Sequence, residues 1–175
     1  MMLLPAASAF GGRLKPAFID MGNDTIVASA VVTDAPYNAD ATGARDATTA
    51  IQMALDAVAA RNGGVVYLPA GKYRLNGNLN LSYGVTLAGH SGGTAKTMLL
   101  AYYGRGDADQ PPLIHAVNSE TGISGVTIYY PEQKPDAVVS YAATIGGEIK
   151  TIRNVTLCNS YRGIEPRMFN GVSFE

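Results

Sequence analysis

The chain has 175 residues, 47% apolar and 15% charged, with a net charge of −1. That composition excludes a disordered chain and suits one domain with its own core. Basic and acidic side chains are interleaved and no apolar run approaches the ~18 residues of a membrane span, so neither nucleic acid nor membrane is an expected partner.

Residues 1–24 read as an irregular N-terminal segment. Ala7-Ser8-Ala9 resembles a signal-peptidase site, but the apolar run before it is short and carries no basic segment. A signal-peptide remnant and a frayed terminus both fit, and the first would put the protein outside the cytoplasm. The second segment, residues 25–175, opens with "TIVASAVV" (Thr25 to Val32), a β-branched strand. "TDAPYNADATGARD" follows as a loop of turn residues. "DATTAIQMALDAVAARNGG" is then an amphipathic helix. Asp46 is its expected N-cap, and Ile51, Leu55, Val58 and Ala59 form one apolar stripe. Arg61 suits the last turn, and Asn62-Gly63 the left-handed stop.

After Gly64 the helical period does not return. "ISGVTI", "IRNVTL" and "FNGVSF" share one pattern: apolar, any residue, Gly or Asn, Val, hydroxyl, apolar. "YGVTL" (Tyr83 to Leu87) shares its second half. The Val and the final apolar residue point to one face, and the Gly or Asn tolerates a positive φ, so a bend precedes each strand. The valines are 85, 126, 155 and 172, an irregular spacing that fits coils with loops of different length. Hairpin turns between alternating strands are scarce, so a coil of parallel strands is expected, with the helix laid over its open first turn.

"TDAPYNADATGARDATTAIQMALDAVAARNGGVVYLPAGKYRLNGNLNLSYGVTLAGHS" resembles the N-terminal part of pectate-lyase-superfamily proteins. The match rests on Asp46, Thr48, Ala50-Ile51-Gln52 and Gly63 through Tyr73, and is strong over residues 31–90. Ala44 and Ala47 depart from the family's loop, in place of a Gly and an Asp. The resemblance implies an all-β fold, a right-handed parallel β-helix with an N-terminal capping helix. It does not select a reaction, because the family holds lyases, hydrolases, glucanases and tailspikes. "FNGVSFE" ends inside a repeat strand, so the chain is expected to be the N-terminal portion of a longer protein, with most catalytic residues beyond Glu175.

Sugar subsites combine aromatic, carboxylate and amide groups. "TIYYPEQKPD" offers Tyr129, Tyr130, Glu132 and Gln133 directly after a strand, and "NSYRGIEP" offers Arg162 and Glu165 in the same position. A Pro-stopped strand end and a surface ion pair are the plain alternatives. Asp107 and Asp109 read as a solvated loop. "GHSGGTAKT" is no phosphate loop, since Ala95 precedes Lys96 and no helix follows. His90 reads as a loop residue, His115 as a strand residue and Cys158 as a small buried hydrophobe. No cofactor is expected, with Ca²⁺ required only by a lyase. The expected function is a polysaccharide-acting enzyme, glycoside hydrolase ahead of lyase. The alternative is a non-catalytic β-helix that binds glycan or serves as a scaffold.

Overall fold

The computed structural model describes residues 16–20, 25–166 and 173–174. Its elements are β1 (Ala17–Asp20), β2 (Thr25–Ala28), β3 (Ala30–Val31), β4 (Thr42–Asp46), α1 (Thr48–Ala59), β5 (Gly64–Leu68), β6 (Gly71–Leu75), β7 (Leu79–Leu81), β8 (Val85–Gly89), β9 (Thr97–Ala101), β10 (Ile114–Ser124), β11 (Val126–Tyr129), β12 (Ala143–Arg153), β13 (Thr156–Cys158), β14 (Arg162–Pro166) and β15 (Ser173–Phe174).

Except for the antiparallel hairpin β1–β2, the paired strands run parallel and coil round three faces. The first face stacks β3, β5, β8 and the ends of β10 and β12, with β15 following. The second face is β4-β6-β9-β11-β13. The third stacks β7, the start of β10, the start of β12, and β14. β10 and β12 run round the corner from the third face to the first, which joins those two faces into one sheet.

In-register pairing puts like side chains above one another. Val66, Leu87, Ile123 and Ile152 form one interior file, Leu79, Ile114 and Ile145 a second, and Tyr73, Leu99 and Ile128 a third. All are buried. Each buried aliphatic side chain contributes about 1.5–3 kcal/mol, so the coil is held mainly by these files.

Corners are made by left-handed residues. Gly84, Glu120 and Gly147 (φ 73°, 60° and 89°) turn the chain from third face to first, and Gly125 and Asn154 (φ 66° and 51°) from first to second. The Gly or Asn of the sequence repeat is therefore the corner itself. Val85-Leu87 opens a first-face strand, whereas Val126-Ile128 and Val155-Leu157 lie on the second face. The motif marks corners of two kinds, which explains its uneven spacing.

Several expectations are revised. β1 falls inside the 1–24 stretch that shows no element in sequence, while Ala7-Ser8-Ala9 lies outside the described residues. The first strand is split at Ser29, where the chain leaves the hairpin and joins β5. Ser29 N–H donates to Val65 O (2.8 Å), and Val65 N–H donates to Ser29 Oγ (3.3 Å). The segment read as a loop contains β4. Its turn is organised by Asp40, which accepts from Thr42 N–H (2.9 Å), Thr42 Oγ1 (2.6 Å) and Arg45 N–H (2.7 Å).

Ala47, not Asp46, is the N-cap of α1. Asp46 stands one residue earlier because its carboxylate serves two elements: it accepts from Thr48 N–H (3.0 Å) and from Asn76 N–H (3.2 Å) of the next coil. Arg61 lies beyond the helix end, yet Nη1 still reaches the last-turn carbonyl of Ala57 (3.3 Å). Ile51, Ala54, Leu55 and Val58 are buried, and Asn62 and Gly63 take the expected left-handed stop (φ 67° and 96°).

Two measurements test this account. A Cβ at Gly147 would sit 2.2 Å from Ala116 O, whereas one at Gly93 (φ 65°) would meet nothing within 4 Å. Gly147→Ala is expected to cost about 3 kcal/mol in urea unfolding and Gly93→Ala about 1 kcal/mol. The second concerns Asp40, whose carboxyl is lowered from 3.8 to about 2, first by the Thr42 hydroxyl and then by backbone N–H donors. A carboxyl depressed on folding stabilises fully above its unfolded value and loses this as pH falls through its folded value. The stability gap between wild type and Asp40→Asn should thus hold steady above pH 4 and close between about 4 and 2.

Candidate functional site

The corner from second face to third carries two long loops, residues 102–113 and 130–142, and the short connection 159–161. They stack as their strands stack, which gathers side chains far apart in sequence. Glu132 pairs with Arg105 at 2.8 Å, the two side chains being 43% and 54% exposed. Arg162 holds Glu165 through Nε (2.5 Å) and Nη2 (2.6 Å), and its Nη1 donates to Ala108 O (2.7 Å). One guanidinium thus ties β14 to the loop two coils earlier. A forked arginine–carboxylate contact of this kind fixes geometry more firmly than a single pair.

The sequence-selected residues divide. Tyr129 lies half-buried on the outer side of β11, between Leu100 and Cys158 in register. Cys158 is half-buried as well, rather than a core residue. Tyr130 is a correction, since it is 1% exposed and cannot offer its ring to a sugar. It continues the alternation of β11, in which Val126 and Ile128 face inward, and the ring packs against Tyr141 (centroids 4.8 Å apart, planes at 72°). Its hydroxyl lies 2.9 Å from Thr144 Oγ1, which spends its own proton on Arg162 O (3.0 Å), so Tyr130 is the donor. Burial pushes the phenol up to about 12. Gln133 keeps its place at this corner and has a structural task as well. Both ends of its amide are taken by Val139, Nε2 donating to the carbonyl and Oε1 accepting from N–H, each at 2.8 Å. It closes the loop on itself. Glu132, Arg162 and Glu165 do lie at the surface of this corner.

Beside them a cleft of about 310 Å³ opens between the second and third loops. Gln133, Lys134, Asn159 and Tyr161 line it, with Pro135, Val138 and Ser160. Tyr161 is 47% exposed and is the aromatic that faces outward here. Arg105, Lys134 and Tyr161 were missed because their value comes from stacking of loops, which needs the coil register. Among the described residues, no group of three His, Cys, Asp or Glu side chains is placed to hold a metal ion.

The cleft thus offers one outward aromatic, one ammonium and two amides, with the arginine-held Glu132 and Glu165 at the same corner. Residues 32–109 match the family model described as "Rhamnogalacturonase A/epimerase, pectate lyase-like". Over those residues the chain is pectate-lyase-like, and its coil of parallel strands is the fold of that superfamily. Mannuronan C5-epimerase AlgE1 of Azotobacter vinelandii is 33% identical over 95% of this chain, which covers 12% of that protein. The chain thus spans about an eighth of this relative's length. In structure it is similar to the A-module of mannuronan C-5 epimerase AlgE4 of the same organism, with a TM-score of 0.59 and 24% identity over 78% of this chain and 40% of that one. It is also similar to ORF18 of Geobacillus virus E2, with a TM-score of 0.53 and 21% identity over 73% of this chain and 25% of that one. At these identities the structural likenesses concern the fold alone.

The Tyr130–Thr144–Arg162 relay can be tested by substitution. Thr144→Val keeps the shape but leaves the buried Tyr130 hydroxyl unpaired, and is expected to cost about 1–3 kcal/mol. Adding Tyr130→Phe should recover part of that loss in a double-mutant cycle read by urea unfolding.

Proposed function

We propose that this β-helix acts on an acidic polysaccharide, a polyuronate, and that epimerisation at C5 is a better reading than hydrolysis. The observation that carries this is the alignment with a mannuronan C5-epimerase over 95% of the chain. Inverting C5 of a uronate removes the proton next to the carboxylate from one face and returns a proton to the other. The carboxylate must be neutralised as charge develops on it. Lys134 supplies a cation at the cleft and Tyr161 a stacking surface. In this reading the coil is right-handed, as nearly all parallel crossovers are. α1 takes the place a third-face strand holds in later coils, and covers the first coil with its apolar stripe. Such a polymer lies outside the cytoplasm, and so would the protein.

A non-catalytic glycan-binding role is the second reading. It is favoured by the state of Glu132 and Glu165, both held by arginine. A carboxylate occupied in this way positions a loop.

Binding comes before turnover as a test. The chain should retain oligomannuronate in affinity electrophoresis, and Tyr161→Ala should weaken this about tenfold, equivalent to ~1.4 kcal/mol. Proton NMR of treated mannuronan then separates the chemistries. C5 inversion gives new anomeric signals without new reducing ends, hydrolysis gives reducing ends, and binding alone gives neither. A chain that fails to bind any polyuronate sinks the proposal.

A further inference from the structure

The corner from first face to second lies away from the long loops. Two coils turn it on single left-handed residues, Gly125 and Asn154. The coil before them uses the whole segment 90–96 between β8 and β9. A long loop above two tight corners leaves a step, and a cleft of about 390 Å³ lies there, lined by Ser91, Lys96, Gly125, Thr127, Asn154 and Thr156 over an apolar floor of Val126 and Val155.

The base of this loop is fixed. Thr97 N–H donates to His90 O (3.0 Å), and His90 N–H to Thr97 Oγ1 (2.8 Å). Thr97 Oγ1 is also placed to donate to Leu68 O (2.8 Å) or Pro69 O (3.0 Å). Lys96 O accepts from Gly71 N–H at 3.1 Å. The backbone that carries Lys96 is therefore tied to the preceding coil on both sides. Thr127 and Thr156 face each other across adjacent rungs on the outer side of the second face. Ser91 Oγ lies 3.3 Å from the place a Gly125 Cβ would occupy, and Gly89 O lies 2.5 Å from it, so this corner admits only glycine.

Among the described residues, the side chains of Ser91, Lys96, Thr127, Asn154 and Thr156 have no polar partner, and no carboxylate lines the cleft. One ammonium on a fixed backbone, three hydroxyls and one amide line a polar space of a size ordinary for ligand sites. An apolar ligand does not fit such a lining. An oxyanion on a hydroxylated carrier does, its charge meeting Lys96 and its hydroxyls meeting Asn154, Thr127 and Thr156.

We propose that this cleft is a second, separate saccharide site, one that holds the carboxylate of a uronate residue against Lys96. The uronate, rather than a phosphate or sulfate group, rests on the proposed function. The site itself rests on the cleft.

The test is residue-resolved. An isotope-labelled chain is titrated with mannuronate hexasaccharide, with a neutral mannose hexasaccharide, and with inorganic phosphate and sulfate, and amide shifts are followed by NMR. Saturable shifts at residues 91–96, 125–127 and 154–156 are expected with the mannuronate alone. Lys96→Met should weaken them at least tenfold, and Asn154→Gly, which keeps the left-handed corner, a few fold. Shifts around residues 133–138 and 159–161 report the loop corner and should survive Lys96→Met. Shifts confined to the loop corner overturn this site and leave the proposed function standing. Shifts confined to the Lys96 cleft do the reverse for the loop-corner assignment. Equal response to the neutral sugar, or no effect of Lys96→Met, overturns the inference. Response to phosphate or sulfate without mannuronate overturns the saccharide assignment.

Discussion

A coil of parallel strands can bury single files of aliphatic side chains only while every rung starts its next face at the same height. The file Val66–Leu87–Ile123–Ile152 depends on this. A one-residue slip would send each of these side chains outward. What keeps the height is the corner, where a residue with positive φ turns the chain onto the next face in one step. At Gly125 and Gly147 the neighbouring rung's carbonyl fills the space of a side chain, so the turn and the close stacking of rungs are one constraint. Files, ladders and the positions of the loops all depend on it.

That constraint was visible in the sequence before its meaning was. The Gly or Asn ahead of Val-Thr was readable as a bend, and the buried alternation of Val126 and Ile128 followed from it. Which of two corners each bend made was not readable, because both need the same backbone conformation. Strands shorter than their loops were missed for a related reason. β4 looks like a turn because it holds no large apolar side chain and all its residues but Gly43 are exposed. The helix stripe was legible, but the cap was not, because Asp46 answers to Asn76 in the next coil as well as to the helix.

The candidate site was half legible. Glu132, Arg162 and Glu165 stand at the surface as their polarity suggests. Tyr130 does not serve it, drawn into the core beside Tyr141 and Thr144, while Gln133 both closes its own loop and lines the cleft. Two adjacent tyrosines at a strand end cannot both face outward, and the alternation set by Val126 and Ile128 turns Tyr130 in. Arg105 and Tyr161 gained their place from rung stacking, which brings together residues from three successive coils. A pectate-lyase-like coil therefore builds its surface from columns rather than from motifs.

The single guanidinium of Arg162 has a further consequence. It reaches past one coil to grip the loop of another, at Ala108, while its fork holds Glu165. The ladders beneath do not need this bridge, since they close through their own backbone. Loops at this corner are thus free to lengthen, shorten or change composition between relatives without disturbing the rungs, provided a few such cross-coil ties survive. The architecture separates what must be kept for folding from what can drift, so new ligand preferences can arise along one edge of an unchanged stem.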